Sequence, residues 1–374
     1  MTGGSPDVPA GRLVSLDAFR GLTIAGMILV NNPGSWSYIY PPLAHAEWHG
    51  WTPTDLIFPY FLFIVGVAVP FSFSRRLASG AARTDLFRHV VVRSLLLIGI
   101  GLMMRLVPDF DFATLRWPGV LQRIGVVYLA AAGLYLAFGI RSRIAIAAAL
   151  LLGYWAAMTW VPVPGYGAGD LSAEGSLASW VDRTLMAGHT WREMWDPEGL
   201  LSTLPAIGTC LLGIFTGEWL RSSEDRSKVT RGMMIAAAVL IPLGLLWGLS
   251  FPINKNLWTS SYVVFTAGTA LLVFGALYWA IDVKGWRGLW HRPLVVYGMN
   301  ALAVFVASGM LSKTLGRIRI GGTEGTSLYG WIYQNLFRSW AGDLNGSLAF
   351  AVTYVLFWLG CMWLLDRRRI YIKI

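Results

Sequence analysis

The chain has 374 residues, of which 55% are hydrophobic and only 13% charged, and its mean hydropathy is +0.55. Soluble domains carry about 25% charged residues, so this composition excludes an ordinary soluble protein and indicates a polytopic membrane protein. The net charge of +10 does not call for a nucleic-acid partner, because Lys and Arg collect in the cytoplasmic loops of membrane proteins. The two cysteines, Cys210 and Cys361, lie in apolar runs, which argues against a disulfide framework or an activated thiol.

The sequence predicts about ten spanning helices, because roughly 20 predominantly apolar residues cross a bilayer. In chain order, the predicted spans lie near 18–35, 55–73, 90–107, 120–140, 144–161, 203–220, 232–250, 260–280, 293–312 and 346–365. We therefore expect an all-α fold, a helical bundle that forms one transmembrane domain over residues 1–374. A short segment, 1–16, and a basic tail, 366–374, are expected to flank the bundle in the cytoplasm.

The basic residues predict the orientation of this bundle. Twenty of the thirty Lys and Arg residues fall in segments that share one side with the two termini. The positive-inside rule therefore predicts that both termini are cytoplasmic. The outward-facing segments are then 36–54, 108–119, 162–202, 251–259 and 313–345. Trp and Tyr in them suit an interfacial belt, but such a belt does not explain why carboxylates, amides and arginines recur at the same depth.

The stretch HAEWHGWTPTD, which precedes the second predicted span, concentrates titratable groups at a membrane boundary. Histidine can take and return a proton near neutral pH, so His45 and His49 are candidate acid–base groups. Glu47 or Asp55 is the local carboxylate that would orient such a ring. Asp55 also suits a helix N-cap, where a carboxylate favours the positive end of the helix dipole.

Two other interpretations of this stretch remain open. On a helix, His45 and His49 would share one face at i and i+4, and with Glu47 or Asp55 they would hold zinc. Pro53 argues against a helix that continues through this stretch. Alternatively, both histidines are interfacial groups that bond to the loop backbone.

The first predicted span carries polar residues at both ends. Asp17 and Arg20 have the spacing of a simple i,i+3 ion pair. Asn31 and Asn32 precede a Pro-Gly turn, which suits a helix C-terminus. An amide at this position also suits a site that holds a carbonyl oxygen or a substrate hydroxyl.

In six blocks and in order, the chain resembles the heparan-α-glucosaminide N-acetyltransferase family, and more closely its bacterial branch, which is linked to N-acetylglucosamine use. The blocks are RLVSLDAFRGLTIAGMILVNN, HAEWHGWTPTDLIFPYFLFIVG, RWPGVLQRIGVVY, DPEGLLSTLPAIGTCLLG, INKNLWTSSYVV and YGMNALAVF. The resemblance implies transfer of an acetyl group from cytoplasmic acetyl-CoA to the amine of a glucosamine-type sugar on the other side. It implies a multi-pass protein of the cell inner membrane, a homodimer, and no metal.

The same resemblance places the family's active histidine on His45 and its active-site asparagine on Asn31. His45 is then a general base or an acetyl acceptor, and Asn31 a donor to the developing oxyanion. At the position of His49 the animal members carry Asn, so its role is less defined. The remaining expected substrate-site residues are Glu47, Asp55, Gln122, Arg123, Asn254, Lys255 and Asn256. The residues expected near the CoA phosphates are Asp17, Arg20, Arg75 and Arg76.

Two other functions remain possible from the sequence alone. An amino-sugar transporter is compatible with an all-helical chain that carries Asn and Asp at span ends, although no convincing internal repeat is visible. The opening LDAFRGLTIAGMILV also resembles integral membrane acyltransferases that O-acylate surface polysaccharides.

Overall fold

The computed structural model describes residues 13–223, 225–322 and 325–372, and most of this part of the chain is helical. The predicted segment 1–16 and the end of the basic tail lie largely outside the described residues. The helices are α1 (Val14–Asn31), α2 (Ile57–Ala78), α3 (Arg83–Leu106), α4 (Val120–Ala137), α5 (Ile140–Trp160), α6 (Leu177–Leu185), α7 (Thr203–Ser222), α8 (Arg226–Trp247), α9 (Ser260–Tyr278), α10 (Arg292–Met299), α11 (Ala301–Arg317), α12 (Leu328–Tyr333) and α13 (Ser339–Arg367).

The predicted all-α membrane bundle is confirmed. Nine helical segments in the described part of the chain are long and apolar enough to span a bilayer, or ten if the bent pair α10–α11 counts as one span. We call the end of the bundle that carries residues 36–54 the outer end, and the opposite end the inner end. Consecutive spans alternate in direction, so the residues that follow α2 and α4 lie at the inner end.

The ninth predicted span, 293–312, is not one straight helix. α10 and α11 meet at an 80° bend, and Asn300 between them is only 1% exposed. Its side-chain amide donates to the carbonyl of Ile370 at 3.2 Å, and its side-chain oxygen accepts from the N–H of Ile372 at 2.8 Å. The bend is thus fixed by a segment that follows α13, which a local hydropathy pattern does not reveal.

The outer segments contain more structure than the predicted loops. The predicted loop 313–345 holds the end of α11, a hairpin of β1 (Arg319–Ile320) and β2 (Thr326–Ser327), α12 and the start of α13. The two strands are antiparallel, with Arg319 opposite Ser327. The predicted loop 162–202 likewise contains α6. These elements were not predicted because they are too short for a spanning helix.

Small residues let the central helices approach closely, as is common in membrane bundles. α2 and α7 pack against each other, and a Cβ on Gly66 would lie 2.0 Å from the Cys210 carbonyl oxygen. α1 and α10 meet in the same way, since a Cβ on Gly298 would lie 2.0 Å from the carbonyl oxygen of Asp17. These contacts hold α1, α2 and α7 at fixed spacing beneath the outer segments.

Candidate active site

Asp55 is the centre of the candidate site, in the short 3₁₀ turn Pro53–Leu56 that precedes α2. Thr52 and Asp55 form a capping box. One carboxylate oxygen, Oδ2, accepts from the backbone N–H groups of Ala46 and Thr52, both at 3.0 Å, and Oδ1 lies 2.6 Å from His45 Nδ1. The Tyr262 hydroxyl donates to the backbone carbonyl of Asp55. Since Asp55 is only 1% exposed, these bonds fix the carboxylate and the segment around His45 together.

The His45 ring is held on one edge and open on the other. Its side chain is 45% exposed, and the Asp55 carboxylate occupies Nδ1. Lys255 Nζ lies 3.1 Å from Nδ1 and 3.2 Å from Nε2 of the same ring. Because this ammonium is nearly equidistant from both ring nitrogens, it lies against the face of the ring. It does not point along the in-plane lone pair of either nitrogen. The in-plane lone pair of Nε2 is therefore left for a ligand when Nδ1 carries the proton.

A buried asparagine holds Lys255 in this place. Asn254 is 0% exposed. Its side-chain oxygen accepts from the backbone N–H of Leu257 at 2.8 Å, and its backbone N–H donates to Thr259 Oγ1 at 3.1 Å. Its side-chain nitrogen, Nδ2, lies 3.3 Å from His49 Nδ1. His49 thus joins the two outer segments, and burial lowers the pKa of its imidazole.

Lys255 lies in a strongly charged environment. Burial lowers the pKa of its ammonium group, and the negative charges of Asp55 and Glu198 act in the opposite direction. The ammonium is 3.8 Å from Asp55 Oδ1. A partly desolvated lysine beside a histidine and two carboxylates is the arrangement expected of a site that moves protons or stabilises charge.

A second ion cluster borders the site, and the sequence did not predict it. Arg116 donates to Asp196 through Nε at 2.7 Å and through Nη2 at 2.5 Å, and Nη2 also reaches the Glu198 carboxylate. Asp196 further accepts from the backbone N–H of Trp191 at 2.8 Å. This cluster joins the outer segments 108–119 and 162–202. The available signal was that both segments carry unmatched charge at the same depth.

Arg123, an expected site residue, lies beneath this cluster and is 2% exposed. It donates to the carbonyls of Pro197 and Gly199 at 3.0 and 2.9 Å and to the Ser202 hydroxyl at 2.5 Å. Its guanidinium also lies 5.2 Å from the ring centroid of Trp258. These contacts show Arg123 holding the segment that carries Glu198, behind the surface that a ligand would meet.

Gln122, also an expected site residue, is wedged between two glycines. A Cβ on Gly101 or Gly119 would lie 2.3 or 2.7 Å from Gln122 Oε1. Its Nε2 is buried and has no hydrogen-bond acceptor among the described residues. Gln122 therefore lies near the outer end of the α3–α4 pair with one unused donor.

Three further expected site residues have no hydrogen bond to the His45 cluster. Asn31 is exposed at the last position of α1, whereas the neighbouring Asn32 is buried and donates to the Ile28 carbonyl at 2.8 Å. Glu47 is exposed, and Asn256 is half-buried beside Lys255 in sequence. None of the three forms a side-chain hydrogen bond to the described residues, so each is available to a ligand.

The residues expected near the CoA phosphates lie at the inner end, away from His45. Arg20 Nη1 donates to Asp17 Oδ1 at 3.0 Å, which is the simple i,i+3 pair, and it also lies 3.4 Å from the Gly298 carbonyl. Arg75 and Arg76 are exposed in the last turn of α2.

The geometry required for the zinc alternative is absent at residues 44–52. This segment is not helical, so His45 and His49 do not share a helix face. Each ring nitrogen Nδ1 faces another group instead, Asp55 for His45 and Asn254 for His49. In the described part of the chain, no group of three His, Cys, Asp or Glu side chains is placed to hold a metal ion.

Comparisons with a family model and with two curated proteins all point to one family. The family model for heparan-alpha-glucosaminide N-acetyltransferase, catalytic, matches residues 12–247, which include His45 and Asp55. The Mus musculus heparan-alpha-glucosaminide N-acetyltransferase is 32% identical over 363 residues, covering 81% of this chain and 54% of that protein. The Homo sapiens protein is 32% identical over 353 residues, covering 79% and 52%. The chain thus spans about half the length of the curated relatives it matches.

Proposed function

Because this chain belongs to the heparan-alpha-glucosaminide N-acetyltransferase family, we propose that it is an acetyltransferase of the membrane. In this proposal it moves an acetyl group from cytoplasmic acetyl-CoA to the amine of a glucosamine-type sugar at the outer end. Its location is the inner, or plasma, membrane of the cell, since the donor is taken from the cytoplasm. The observation that carries the proposal is the exposed His45 ring, which Asp55 holds and Lys255 contacts.

His45 acts as the general base in this reaction. The Nδ1–H group donates to Asp55, which fixes the tautomer and leaves Nε2 to accept the proton of the attacking amine. As the C–N bond forms, the thioester carbonyl becomes an oxyanion. The tetrahedral intermediate then collapses, the C–S bond breaks and CoA leaves as a thiol that takes the proton back from the imidazolium. Attack by Nε2 itself, with an acetyl-histidine intermediate, is the covalent variant of this scheme.

Lys255 supplies positive charge where the oxyanion develops. In the resting site the ammonium of Lys255 is opposed by the carboxylate of Asp55. When the proton reaches His45, the ring becomes positive and the substrate oxygen negative, so the site as a whole gains no net charge. Donors that are in place before the reaction are worth about 10²–10³ in rate each.

Asn31 is the second donor of the proposal, and its position suggests a route for the thioester. Ile24 and Met27, which precede Asn31 on the same face of α1, line a narrow crevice between α1, α2, α4 and α11 that has room for about one water molecule. The crevice is lined by apolar side chains. In our proposal the helices that line this crevice move apart to admit the pantetheine arm, which brings the thioester toward the outer end.

Acetyl transfer by the purified protein tests the proposal. We expect the wild type to convert glucosamine and acetyl-CoA to N-acetylglucosamine and CoA, and His45→Ala to lose at least about 10²-fold in kcat. His89→Ala is the matched control, since His89 is an exposed histidine at the inner end. Near-normal transfer by a folded His45→Ala protein would rule out the assigned role.

The Tm with acetyl-CoA and the identity of the products separate the proposed acetyltransferase from the two other functions. Acetyl-CoA should raise the Tm of the wild type, because a ligand that binds only the folded state stabilises it. A sugar carrier would show no such shift and no product. An enzyme that acetylates a hydroxyl would act on N-acetylated sugars and leave glucosamine unreacted, which mass spectrometry of the products detects.

A further inference from the structure

A cluster of arginines at the inner end lies far from His45 and has no part in the proposed chemistry. Arg143 is 4% exposed, on the first turn of α5. Its Nη2 donates to Glu218 Oε1 at 2.7 Å. Its guanidinium lies 4.7 Å from the ring centroid of Tyr135, near the end of α4. Arg83 and Arg221 also lie within electrostatic range of the Tyr135 hydroxyl.

The buried atoms of this cluster lack partners. Arg143 Nε and Nη1 are both buried, and neither has a hydrogen-bond acceptor among the described residues. Glu218 Oε2 is likewise buried without a donor. Buried polar groups in proteins are nearly always hydrogen-bonded, and a buried cation with unused donors is costly. An acceptor that carries negative charge would satisfy both Arg143 donors at once.

Two helix N-termini lie near the end of α4. α3 begins at Arg83 and α5 at Ile140, and neither has a side-chain cap on its first-turn N–H groups. Arg83 Nη1 donates to the carbonyl of Leu136 at 3.0 Å, which brings the start of α3 beside the end of α4, four residues before α5 begins. Uncapped helix N-termini attract anions through their free N–H groups and the helix dipole.

The charge of the cluster indicates that its ligand is an anion. The cationic groups are Arg83, Arg143 and Arg221, and the anionic group is Glu218, all of which act on the Tyr135 hydroxyl. The excess is two positive charges. Guanidinium groups bind phosphate with paired hydrogen bonds, and this excess attracts a phosphate monoester, with close to two negative charges, or a phosphodiester, with one.

We infer that the inner ends of α3, α4, α5 and α7 form a phosphate-binding site centred on Arg143. Two sources share this chemistry. One is the nucleotide part of CoA, whose binding here would deepen the proposed function and rests on it. The other is the headgroup of an anionic phospholipid, which is independent of that function. α3 and α5 are among the least buried spans, so the site is open to the lipid boundary.

Binding measurements on the full-length protein in detergent test this inference. The probes are adenosine 3′,5′-bisphosphate, followed by calorimetry, and phosphatidylglycerol added after delipidation, followed by native mass spectrometry. Arg143→Gln removes the buried donors, and we expect about tenfold weaker binding. Arg221→Gln removes an exposed charge and should weaken binding about threefold, which keeps the test valid if Arg143→Gln fails to fold. Arg231→Gln, an exposed arginine on α8 at the same end, is the control.

Each outcome decides the inference. Weaker bisphosphate binding in both variants, with the control unchanged, assigns the site to the nucleotide of CoA. Loss of phosphatidylglycerol retention alone assigns it to a lipid headgroup. If neither probe binds the wild type, or both bind the variants as they bind the control, no phosphate site exists. A wild type without acetyltransferase activity would contradict the proposed function and leave the phosphatidylglycerol measurement valid.

Discussion

Asp55 and Asp17 occupy similar places in the sequence and differ in what they organise. Each stands near the start of a spanning helix, and each is a good residue for a first helical turn. Asp17 forms an ion pair with Arg20 on its own helix. Asp55 instead accepts from three residues that precede its helix, among them His45, ten positions away.

This difference follows from the loops at the two ends of the bundle. Inner segments are short, and the Asp17–Arg20 pair lies within one helical turn. Outer segments are long, and buried carboxylates such as Asp55 and Asp196 join pieces that are distant in sequence. A long segment fixed in this way can hold a half-exposed ring in one orientation. A short connection between helices is not long enough to hold a ring in this way.

Replacing the two aspartates gives the largest expected contrast. Asp55→Asn should lower kcat by about 10³-fold or more, because an amide cannot accept from Ala46, Thr52 and the His45 ring in the present arrangement. Asp17→Asn should change kcat by less than about threefold, since Asp17 lies at the inner end and its ion pair with Arg20 does not reach His45. Product formation by mass spectrometry measures both, and the Tm of each variant reports whether it is folded.

The comparison fails if the two variants lose activity equally while both remain folded. In that case Asp55 would serve only to cap its helix, and the ring of His45 would be positioned by other groups. A large loss of Tm in Asp55→Asn alone would leave kcat uninterpretable, so Asp55→Glu is the second variant. It keeps the charge and displaces it, and it should also lower kcat.

Much of the fold could be predicted from the sequence because spanning helices depend on local composition. The spans at 120–140 and 203–220 begin where α4 and α7 begin. The bend at Asn300 could not be predicted, since it depends on bonds to Ile370 and Ile372. α3 begins at Arg83, not near 90, because polar residues extend the helix beyond its apolar run.

The candidate site was predictable in part. His45 and Asp55 stand in one short motif, so their pairing could be anticipated from sequence. Lys255 was expected only as one residue of a block resembling a known family, and nothing local shows that it would reach a ring 210 positions away. The pairing of Arg116 with Asp196 was missed, because the choice among many loop charges is made by the packing of the helices beneath them.

Replacing Lys255 is expected to have an effect of intermediate size on kcat. Lys255→Met should lower kcat by about 10²-fold with a smaller change in KM, because the ammonium acts on charge that develops during the reaction. Burial lowers the pKa of Lys255, so the alkaline limb of the wild-type pH profile should reflect loss of its proton. Lys255→Arg stays charged at high pH, and its alkaline limb should move to higher pH even if its kcat is reduced.

A kcat of Lys255→Met within about threefold of wild type would remove the lysine from the mechanism. An alkaline limb that stays at the same pH in Lys255→Arg would assign that limb to another group. Ethylammonium added to Lys255→Ala is an independent check, since partial recovery of kcat indicates that a cation is needed at this position and not merely side-chain volume.

The smallest expected effect concerns Asp182 on α6, an outer carboxylate that is 2% exposed. Burial, with the negative charge of Asp196 adding to it, raises the pKa of Asp182 to about 7, whereas an aspartate in the unfolded chain releases its proton near pH 4. Between these values the folded protein binds the additional proton, so its free energy of unfolding falls as the pH rises through this window. Asp182→Asn keeps the shape without the charge, and it should gain a few degrees in Tm over the wild type at pH 8 and little at pH 5. An equal difference at both pH values would show that ionised Asp182 is not costly, and that the outer end tolerates this charge as the inner end tolerates Asp17.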